Sequence, residues 1–408
     1  MKATRFNFYY LFFFLCAVPV ISQEKNTPKN IYSVEIKANN KKISYPVIDL
    51  NGLINLSFDD LDAENKDYYY QINHYDYKWK KSKLFKVDYI DGFDDNLITN
   101  TNNSFNTLVD YNHYKITIPN EDLKLKISGN FSISIHDEDG DFLFERKFSV
   151  VNKKVSLSSF IKKSTELKNY ETHHEIDVIV KCNSCSDLIG NSSDLKLVLI
   201  KNNNWRESKI IEKPDFKFID RLIYKNISSA AGNEYRYFDN SKINLTNLKV
   251  YKTQLNDIYN SFLTTDYDRN KISYEYNPDI NGLFFISQNI ENPNLQNDYS
   301  KVHFNFKPHD LNQIKKVYIV GEFNNYELSE KHELKLANNS YQGEFLFKQG
   351  FYNYKYCSVN SNNELKYYSG DYWETENSYT VLLFHKRVSD KYYSLIGNYE
   401  NSSKNIIK

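Results

Sequence analysis

The sequence has 408 residues and a mass of 48.4 kDa, too long for one ordinary domain, and 40% of the residues are hydrophobic, which is enough for two or three cores. Lys+Arg and Asp+Glu both number 52, so the balanced charge excludes the bulk electrostatic attraction typical of nucleic-acid and anionic-membrane binders. Tyr (35) and Phe (27) are abundant, whereas Gly numbers only 12. Aromatic residues favour pleated, half-buried surfaces, and scarce Gly disfavours phosphate-binding loops. We therefore expect an all-β, multidomain protein that binds no nucleotide.

Residues 1–22 predict a secretory signal peptide. Lys2 and Arg5 precede an almost continuous apolar run from Phe6 to Ile21, and polar residues begin at Gln23. Cys16 leaves a lipoprotein as a less favoured alternative, because the residues before it form a poor lipobox. No later stretch reaches the roughly 18 apolar residues that a transmembrane helix needs. We expect the mature protein to be exported and soluble.

The strand pattern is clearest in residues 23–151. Short alternating segments occupy Ile31 to Ser57, and an aromatic strand covers Tyr68 to Tyr75. Phe131, Ile133 and Ile135 alternate with polar residues before the acidic turn at 137–141, and the chain returns from Phe142 to Val151. This order predicts an immunoglobulin-like β-sandwich that ends near Val151.

Two further β units are predicted after Val151. Residues 152–307 contain strand patterns such as 175–181, 195–201, 247–255 and 282–286, which we interpret as a second sandwich. Residues 308–408 begin a third unit with the buried strand 317–320. Helical periodicity is almost absent, so the predicted fold is a tandem of immunoglobulin-like or E-set-like β-sandwiches.

Three cysteines remain after leader removal. Cys182 and Cys185 have the two-residue spacing of redox and zinc sites, but a zinc ribbon needs a second pair. A strand pattern runs directly into Cys182, whereas a thioredoxin-like motif would begin a helix there. Two interpretations of this pair stay open, a disulfide bond and two free thiols. Cys357 is expected to be a small buried residue.

No constellation predicts catalysis or metal binding. The acidic clusters at 59–62 and 91–96 match no calcium-loop template and are interpreted as solvated turns. His173 and His174 are adjacent on a strand and project to opposite faces, so they do not share one ion. Nucleophile-elbow, zincin and phosphate-loop motifs are missing. We therefore expect no enzyme activity, no cofactor and no metal.

Trp79 is the most conspicuous candidate for a binding contact. It lies among Lys78, Lys80 and Lys81 and precedes a long segment, 82–101, with little strand pattern. Long loops on a rigid scaffold commonly bind partners, and Trp supplies contact area with few rotors to immobilise. The alternative, that Trp79 fills the core of its own domain, stays open.

Several blocks together resemble the type IX secretion system plug protein family of Bacteroidetes-type bacteria. In the first domain they are 56–61, 67–70, Trp79, 89–96, 104–108, 118–122 and 128–130; later blocks are 232–239, 372–380 and 395–397. The positions that we carry over as candidate partner contacts or family-motif positions are Asp59, Asp60, Tyr69, Trp79, Tyr89, Gly92, Phe93, Asn96, Asn120, Glu121, Arg236, Phe238, Trp373 and Glu374.

The resemblance implies a non-enzymatic protein at the periplasmic face of the outer membrane. Its implied partner is the large translocation barrel of the type IX system, which such a plug closes between transport cycles. Tandem sandwiches suit this role, because blocking a wide pore needs a rigid object rather than chemistry.

The third unit also resembles glycogen-binding carbohydrate modules. The similarity lies in Val317 to Tyr326 and in Gly350 to Tyr356. Those modules bind sugar with exposed aromatic faces, and Tyr326 stands where they usually have Trp. An exported carbohydrate-binding protein is therefore the alternative function.

Overall fold

A computed structural model describes residues 27–42, 45–183, 185–189, 193–311, 314–360 and 365–406. Strands account for 52% and helices for 6% of the structure, so the prediction of an all-β fold is confirmed. The predicted signal peptide, residues 1–22, lies outside the described residues.

The first sandwich contains eleven strands and one helical turn, α1 (Lys86–Tyr89). The strands are β1 (Ile31–Ala38), β2 (Val47–Asp49), β3 (Ile54–Asp60), β4 (Tyr69–Tyr75), β5 (Ile90–Gly92), β6 (Asn96–Leu97), β7 (Thr101–Asn103), β8 (Asn112–Ile118), β9 (Leu123–Leu125), β10 (Gly129–His136) and β11 (Phe142–Val151). One sheet has the order β1-β3-β8-β7 and the other β2-β11-β10-β4-β6, while β5 pairs with β9.

Alternation of apolar residues places the core between these two sheets. Leu56 and Phe58 on β3 pack toward Phe131 and Ile133 on β10, and all four are fully buried. The β10–β11 hairpin forms at the acidic turn as the sequence predicts, with Phe131 opposite Phe148 in antiparallel register.

The middle sandwich uses strands from two separate parts of the chain. Its strands are β12 (Ser156–Lys163), β13 (His173–Lys181), β14 (Ser193–Lys201), β15 (Asn204–Ile211), β16 (Phe216–Lys217), β17 (Arg221–Ala230), β29 (Ser378–Arg387) and β30 (Ser394–Ser402), with α2 (Ser186–Ile189) between β13 and β14. The sheets have the orders β12-β13-β17-β16 and β15-β14-β29-β30.

The chain between β17 and β29 forms a third unit around one eleven-stranded sheet. Its elements are β18 (Arg236–Asp239), β19 (Val250–Leu255), β20 (Tyr259–Leu263), β21 (Asp266–Tyr267), β22 (Phe284–Ile286), α3 (Pro293–Gln296), β23 (Tyr299–Lys307), β24 (Ile314–Val320), β25 (Glu333–Ala337), β26 (Ser340–Lys348), β27 (Gly350–Asn360) and β28 (Leu365–Tyr367). Short 3-10 turns occupy Leu167–Asn169, Glu322–Asn324, Glu330–His332 and Ser403–Asn405.

This topology differs from the predicted division into 152–307 and 308–408. Residue 307 ends β23, which lies inside the third unit, and the C-terminal strand β29 pairs with β14 in the middle sandwich. The third unit is therefore an insertion within the middle sandwich. A pairing such as Leu197 with Leu383 joins residues far apart in sequence, and local hydrophobic patterns carry no signal for it.

The sheet containing β29 is buried on both faces. Tyr379, Val381 and Leu383 pack into the middle sandwich, whereas Leu382 and Phe384 pack toward the first sandwich. This accounts for the continuous apolar run in β29, because a strand covered on both sides needs apolar residues at successive positions. The middle sandwich therefore packs directly against the first sandwich. No helix in the described part of the chain is long and apolar enough to span a membrane.

Gly92→Val and Gly129→Val are expected to destabilise the first sandwich. Both glycines have positive φ, and an added Cβ would lie 1.8 Å from the Asp122 carbonyl oxygen or 2.4 Å from His74 Nε2. Gly140→Val is the matched control, because Gly140 also has positive φ but open space around it. We expect the control to cost about 1–2 kcal/mol and the other two variants clearly more, as measured by thermal unfolding. Equal losses in all three variants would contradict this explanation.

Candidate functional site

Asp59, at the end of β3, is the centre of a buried charged cluster between the first sandwich and the third unit. His113 Nδ1 lies 2.6 Å from Asp59 Oδ1. The Tyr299 hydroxyl and the Lys348 ammonium donate to Oδ2 over 2.6 and 2.7 Å. Tyr299 and Lys348 are opposite each other on β23 and β26, so the third unit presents both donors together.

The electrostatics of this cluster keep Asp59 ionised. Burial pushes the pKa of Asp59 upward, but Lys348 and His113 outweigh burial, and the net shift of the pKa is downward. Burial lowers the pKa of Lys348, and the negative charge of Asp59 opposes this decrease. Because each charge is desolvated, each depends on the other for compensation. The resemblance selected Asp59, but the interpretation of residues 59–62 as a solvated turn is wrong for Asp59 and Asp60, which are fully buried. The sequence analysis also missed Lys348 and Tyr299, which lie about 240–290 residues further along the chain.

A loop of the first sandwich extends this junction. The Leu108 and Val109 N–H groups donate to the Asp298 carboxylate over 2.7 and 3.0 Å. The Tyr111 hydroxyl donates to the Asn297 carbonyl over 3.0 Å, and the Lys348 ammonium lies 4.0 Å from the centre of the Tyr111 ring. The family block at 104–108 thus lies at a contact between units of the same chain.

An ion pair and a hydrogen bond also join the same units. Lys42 Nζ lies 2.8 Å from Glu322 Oε2 and 3.4 Å from Glu35 Oε1, and it lies over the Phe284 ring. The Thr27 hydroxyl donates to the Glu327 carboxylate over 3.0 Å. The junction therefore continues from Asp59 to the beginning of the described chain.

Lys331 completes this junction from the third unit. Its amine donates to the Ile31 carbonyl oxygen, and Nζ lies 3.4 Å from the centre of the Tyr32 ring. Burial lowers the pKa of Lys331 to about 7, although Glu327 opposes the shift.

Trp79 lies in the junction between the first and middle sandwiches. Its ring centre is 5.2 Å from that of Trp205 on β15 and 5.4 Å from that of Tyr75. Lys147 lies over the Trp79 ring at 5.0 Å. The half-buried side chain therefore packs between units and does not fill the core of its own domain.

Tyr326 is in the junction between the middle sandwich and the third unit. It is buried beside Tyr235, and its hydroxyl donates to the Asn202 carbonyl over 3.0 Å. A sugar ring needs an exposed aromatic face, so this position is not available for stacking. The burial of Tyr326 therefore disfavours a sugar site at this position.

Five other carried-over positions support the first sandwich from within. Asp60 accepts hydrogen bonds from Asn30 and Tyr68 over 2.7 and 2.8 Å. Tyr89 is buried and donates to the Ile72 carbonyl, and the Asn96 amide donates to the Phe93 carbonyl. The Asn120 side chain bonds to the Tyr70 hydroxyl and to the Leu123 N–H. Half-buried Tyr69 pairs with Leu97 across the β4–β6 edge.

Three later positions have comparable internal contacts. Arg236 Nη1 donates to Asp266 over 2.7 Å inside the third unit. Phe238 is fully buried and stacks on Tyr352. The Trp373 carbonyl lies 2.6 Å from His174 Nε2, within hydrogen-bonding distance.

Four carried-over positions remain on the surface. Gly92, Glu121 and Glu374 are exposed, and the Phe93 side chain is 69% exposed. Phe93 belongs to the segment 82–101, whose α1 turn also exposes Phe85 and Val87. The structure therefore separates the motif residues into a buried or half-buried majority that joins or supports the units and an exposed minority near α1 and the loop ends.

Cys182 and Cys185 form a disulfide in the structure, and Cys357 is a buried free thiol. His174 Nδ1 lies 3.0 Å from the Tyr379 hydroxyl, whereas His173 bonds to Thr172. Among the residues that the structure describes, no group of three or more His, Cys, Asp or Glu side chains is arranged to hold a metal ion.

The fold and its junctions define a protein of three interlocked β units. Residues 31–152 match the family model described as the type 9 secretion system plug protein 1st domain. This match supports the plug family and suggests a role in type IX secretion, in contact with an outer-membrane component and at a periplasmic or outer-membrane-associated location. None of the comparisons supports the carbohydrate-module resemblance.

The likeness to a solved structure extends over most of the chain. A crystal structure of a hypothetical protein from Parabacteroides merdae ATCC 43184 is 28% identical, with a TM-score of 0.85. The alignment covers 93% of this chain and 98% of that chain. No curated protein matches the chain significantly.

Asp59→Asn and Lys348→Met are each expected to lower the free energy of unfolding by about 3–5 kcal/mol, because each leaves a buried partner uncompensated. The double variant should lose less than the sum of the two single losses. The control pair is Lys301 and Glu344, which lies on the same two strands at 3.3 Å but is solvent-exposed. Its removal should cost about 0–1 kcal/mol in the same urea titration. Additive losses for Asp59 and Lys348 would contradict a coupled buried pair.

The stability contribution of Lys331 is expected to rise with pH. Its pKa is about 7 in the folded chain and about 10.4 in the unfolded chain. Between these values the unfolded chain binds more protons, so stability rises with pH in this window. The unfolding free energy of the native chain, relative to Lys331→Met, should therefore increase from pH 7 to 9. Lys335→Met, at an exposed neighbouring lysine, is the control. A difference independent of pH would rule out a lowered pKa.

Proposed function

We propose that this protein is a non-catalytic periplasmic plug of a type IX secretion system. It binds the large outer-membrane translocation barrel from the periplasmic side and seals the pore between transport cycles. The observation that carries this proposal is the match of residues 31–152 to the first domain of the plug family.

The physical support for sealing is the rigidity of the chain. The third unit is inserted into the middle sandwich, and the first sandwich contacts both. Buried ion pairs with well-made hydrogen bonds fix one relative arrangement, since separating them would expose uncompensated charge. A body that holds its shape can obstruct a wide aqueous pore without any chemical step.

The charge balance and the predicted signal peptide agree with this role. Equal numbers of acidic and basic residues give no bulk attraction for nucleic acid or anionic lipid. The predicted signal peptide supports export to the periplasm, where the chain can reach the inner face of the outer membrane. We propose that the protein is not an enzyme and needs no cofactor.

Affinity purification of the tagged mature chain from solubilised outer membranes is expected to enrich the translocation barrel. A strain that lacks the barrel is the control for capture by other membrane proteins. Deletion of the plug should also make the outer membrane more permeable to large antibiotics, and plasmid-borne plug should reverse this effect. Repeated purification without the barrel, together with unchanged permeability, would refute the proposed function.

A further inference from the structure

A cleft of about 460 Å³ opens between the first sandwich and the turn that joins β29 to β30. The first sandwich and the segment after it contribute Asp88 and Lys154. The β29–β30 hairpin contributes His385, Arg387, Asp390 and Lys391. We call this site the hairpin cleft. Because its two walls come from different units, it exists only when these units are assembled.

Three cations line the hairpin cleft. Among the residues that the structure describes, Lys154, Arg387 and Lys391 make no ion pair with a carboxylate. The two cleft carboxylates already accept local backbone hydrogen bonds. Asp88 accepts from the Phe85 N–H and Asp390 from the Arg387 N–H, each over 2.9 Å. The cleft therefore holds three cations that are free to meet an anionic group.

His385 forms a buried part of the wall. The side chain is buried, and its Nε2 has no hydrogen-bond partner in the described part of the chain. Burial lowers the pKa of His385, so the ring is neutral at pH 7. Because this imidazole is neutral, the charge of the cleft comes from the three cations and the two carboxylates.

Exposed apolar side chains border the same cleft. Phe85, Val87 and Val388 are 79%, 71% and 82% exposed. Phe85 follows Leu84 of the cleft, and Val388 lies between Arg387 and Ser389, whereas Val87 lines a neighbouring cleft. Exposed apolar groups clustered beside a polar cleft are typical of a protein-binding surface.

A neighbouring cleft provides an internal comparison. It has a volume of about 380 Å³, and α1 contributes Lys86 and Val87 to its lining. Its cations are satisfied: Lys86 pairs with Asp94 and donates to the Ile72 carbonyl, and Lys126 donates to the Val87 carbonyl over 2.8 Å. Only the hairpin cleft, of these two, combines unpaired cations with an apolar rim.

The walls of the hairpin cleft are held in place by aromatic contacts. Tyr392 packs edge-on against His74, with ring centres 5.4 Å apart. The next residue, Tyr393, packs against Tyr77 at 4.8 Å. A preformed site binds without first ordering its own groups, which lowers the cost of association.

We propose that the hairpin cleft binds an acidic peptide segment that also carries an apolar side chain, contributed by the outer-membrane component. Carboxylates of the segment pair with Lys154, Arg387 and Lys391, and its apolar group packs on Phe85 and Val388. The choice of an acidic partner follows from charge complementarity with the three unpaired cations. The identity of the partner rests on the proposed function, whereas the peptide chemistry rests on the cleft.

The first test measures the peptide chemistry alone. The probe is a short fluorescein-labelled peptide that alternates Asp with Phe and Ser, and its analogue has Asn in place of Asp. Fluorescence anisotropy with the mature chain should show binding of the acidic peptide that weakens with salt, and at least about tenfold weaker binding of the Asn analogue. Equal binding of both peptides, or no binding of either, would overturn the proposal.

The second test locates the binding site. Lys154→Glu, Arg387→Glu and Lys391→Glu are combined in one variant. The control combines Lys213→Glu, Lys242→Glu and Lys271→Glu, which make the same charge change at exposed loop lysines elsewhere. The cleft variant should bind the peptide at least about tenfold more weakly than the control. Melting temperatures identify loss through unfolding, and a Gln triple at the cleft positions should have intermediate affinity.

Barrel copurification separates the two proposals. If the native chain captures the barrel and the cleft variant captures it equally well, the cleft assignment is wrong and the plug function stands. If the native chain binds the acidic peptide through the cleft but never captures the barrel, the plug function is wrong and the peptide site stands. Loss of barrel capture in the cleft variant alone supports both.

Discussion

A charge that leaves water must find a partner in the protein, and the burial of Asp59 opposite Lys348 is the constraint on which this structure depends. The two residues belong to different units. Each buried charge is therefore compensated only when the other unit is in its observed position. Tyr299 and His113 also form hydrogen bonds with this carboxylate. The first sandwich and the third unit are therefore held in one arrangement by electrostatics as well as by the surface that they bury against each other.

Chain topology extends this constraint to the middle sandwich. Because the third unit is inserted between β17 and β29, it cannot move far from the sandwich that receives both of its ends. The first sandwich packs against the outer face of β29 through residues such as Tyr45 and Tyr77. Most motif residues carried over from the plug resemblance either lie in these junctions, as Asp59 and Trp79 do, or support one unit from within. These residues stabilise one arrangement of the units, and we propose that the exposed α1 region and the hairpin cleft contact another protein.

The sequence predicted local structure well and long-range structure poorly. The alternation of Phe131, Ile133 and Ile135 and the acidic turn after them specify a hairpin without further information. Nothing near Lys348 distinguishes a buried partner of Asp59 from the many surface lysines, and nothing in β29 shows that it pairs with β14. The predicted boundary at residue 307 differs from the structure for this reason. Tyr326 lies in a turn, and its burial depends on Tyr235 and Asn202 from other elements, which local patterns do not reveal.

We propose that a rigid body formed by three units closes a pore. Conductance of the purified translocation barrel in a planar lipid bilayer tests it most directly. Addition of the mature chain to the periplasmic side should lower the conductance in a saturable way, and addition to the opposite side should leave it unchanged. Unchanged conductance with the chain demonstrably bound on the periplasmic side would contradict the account.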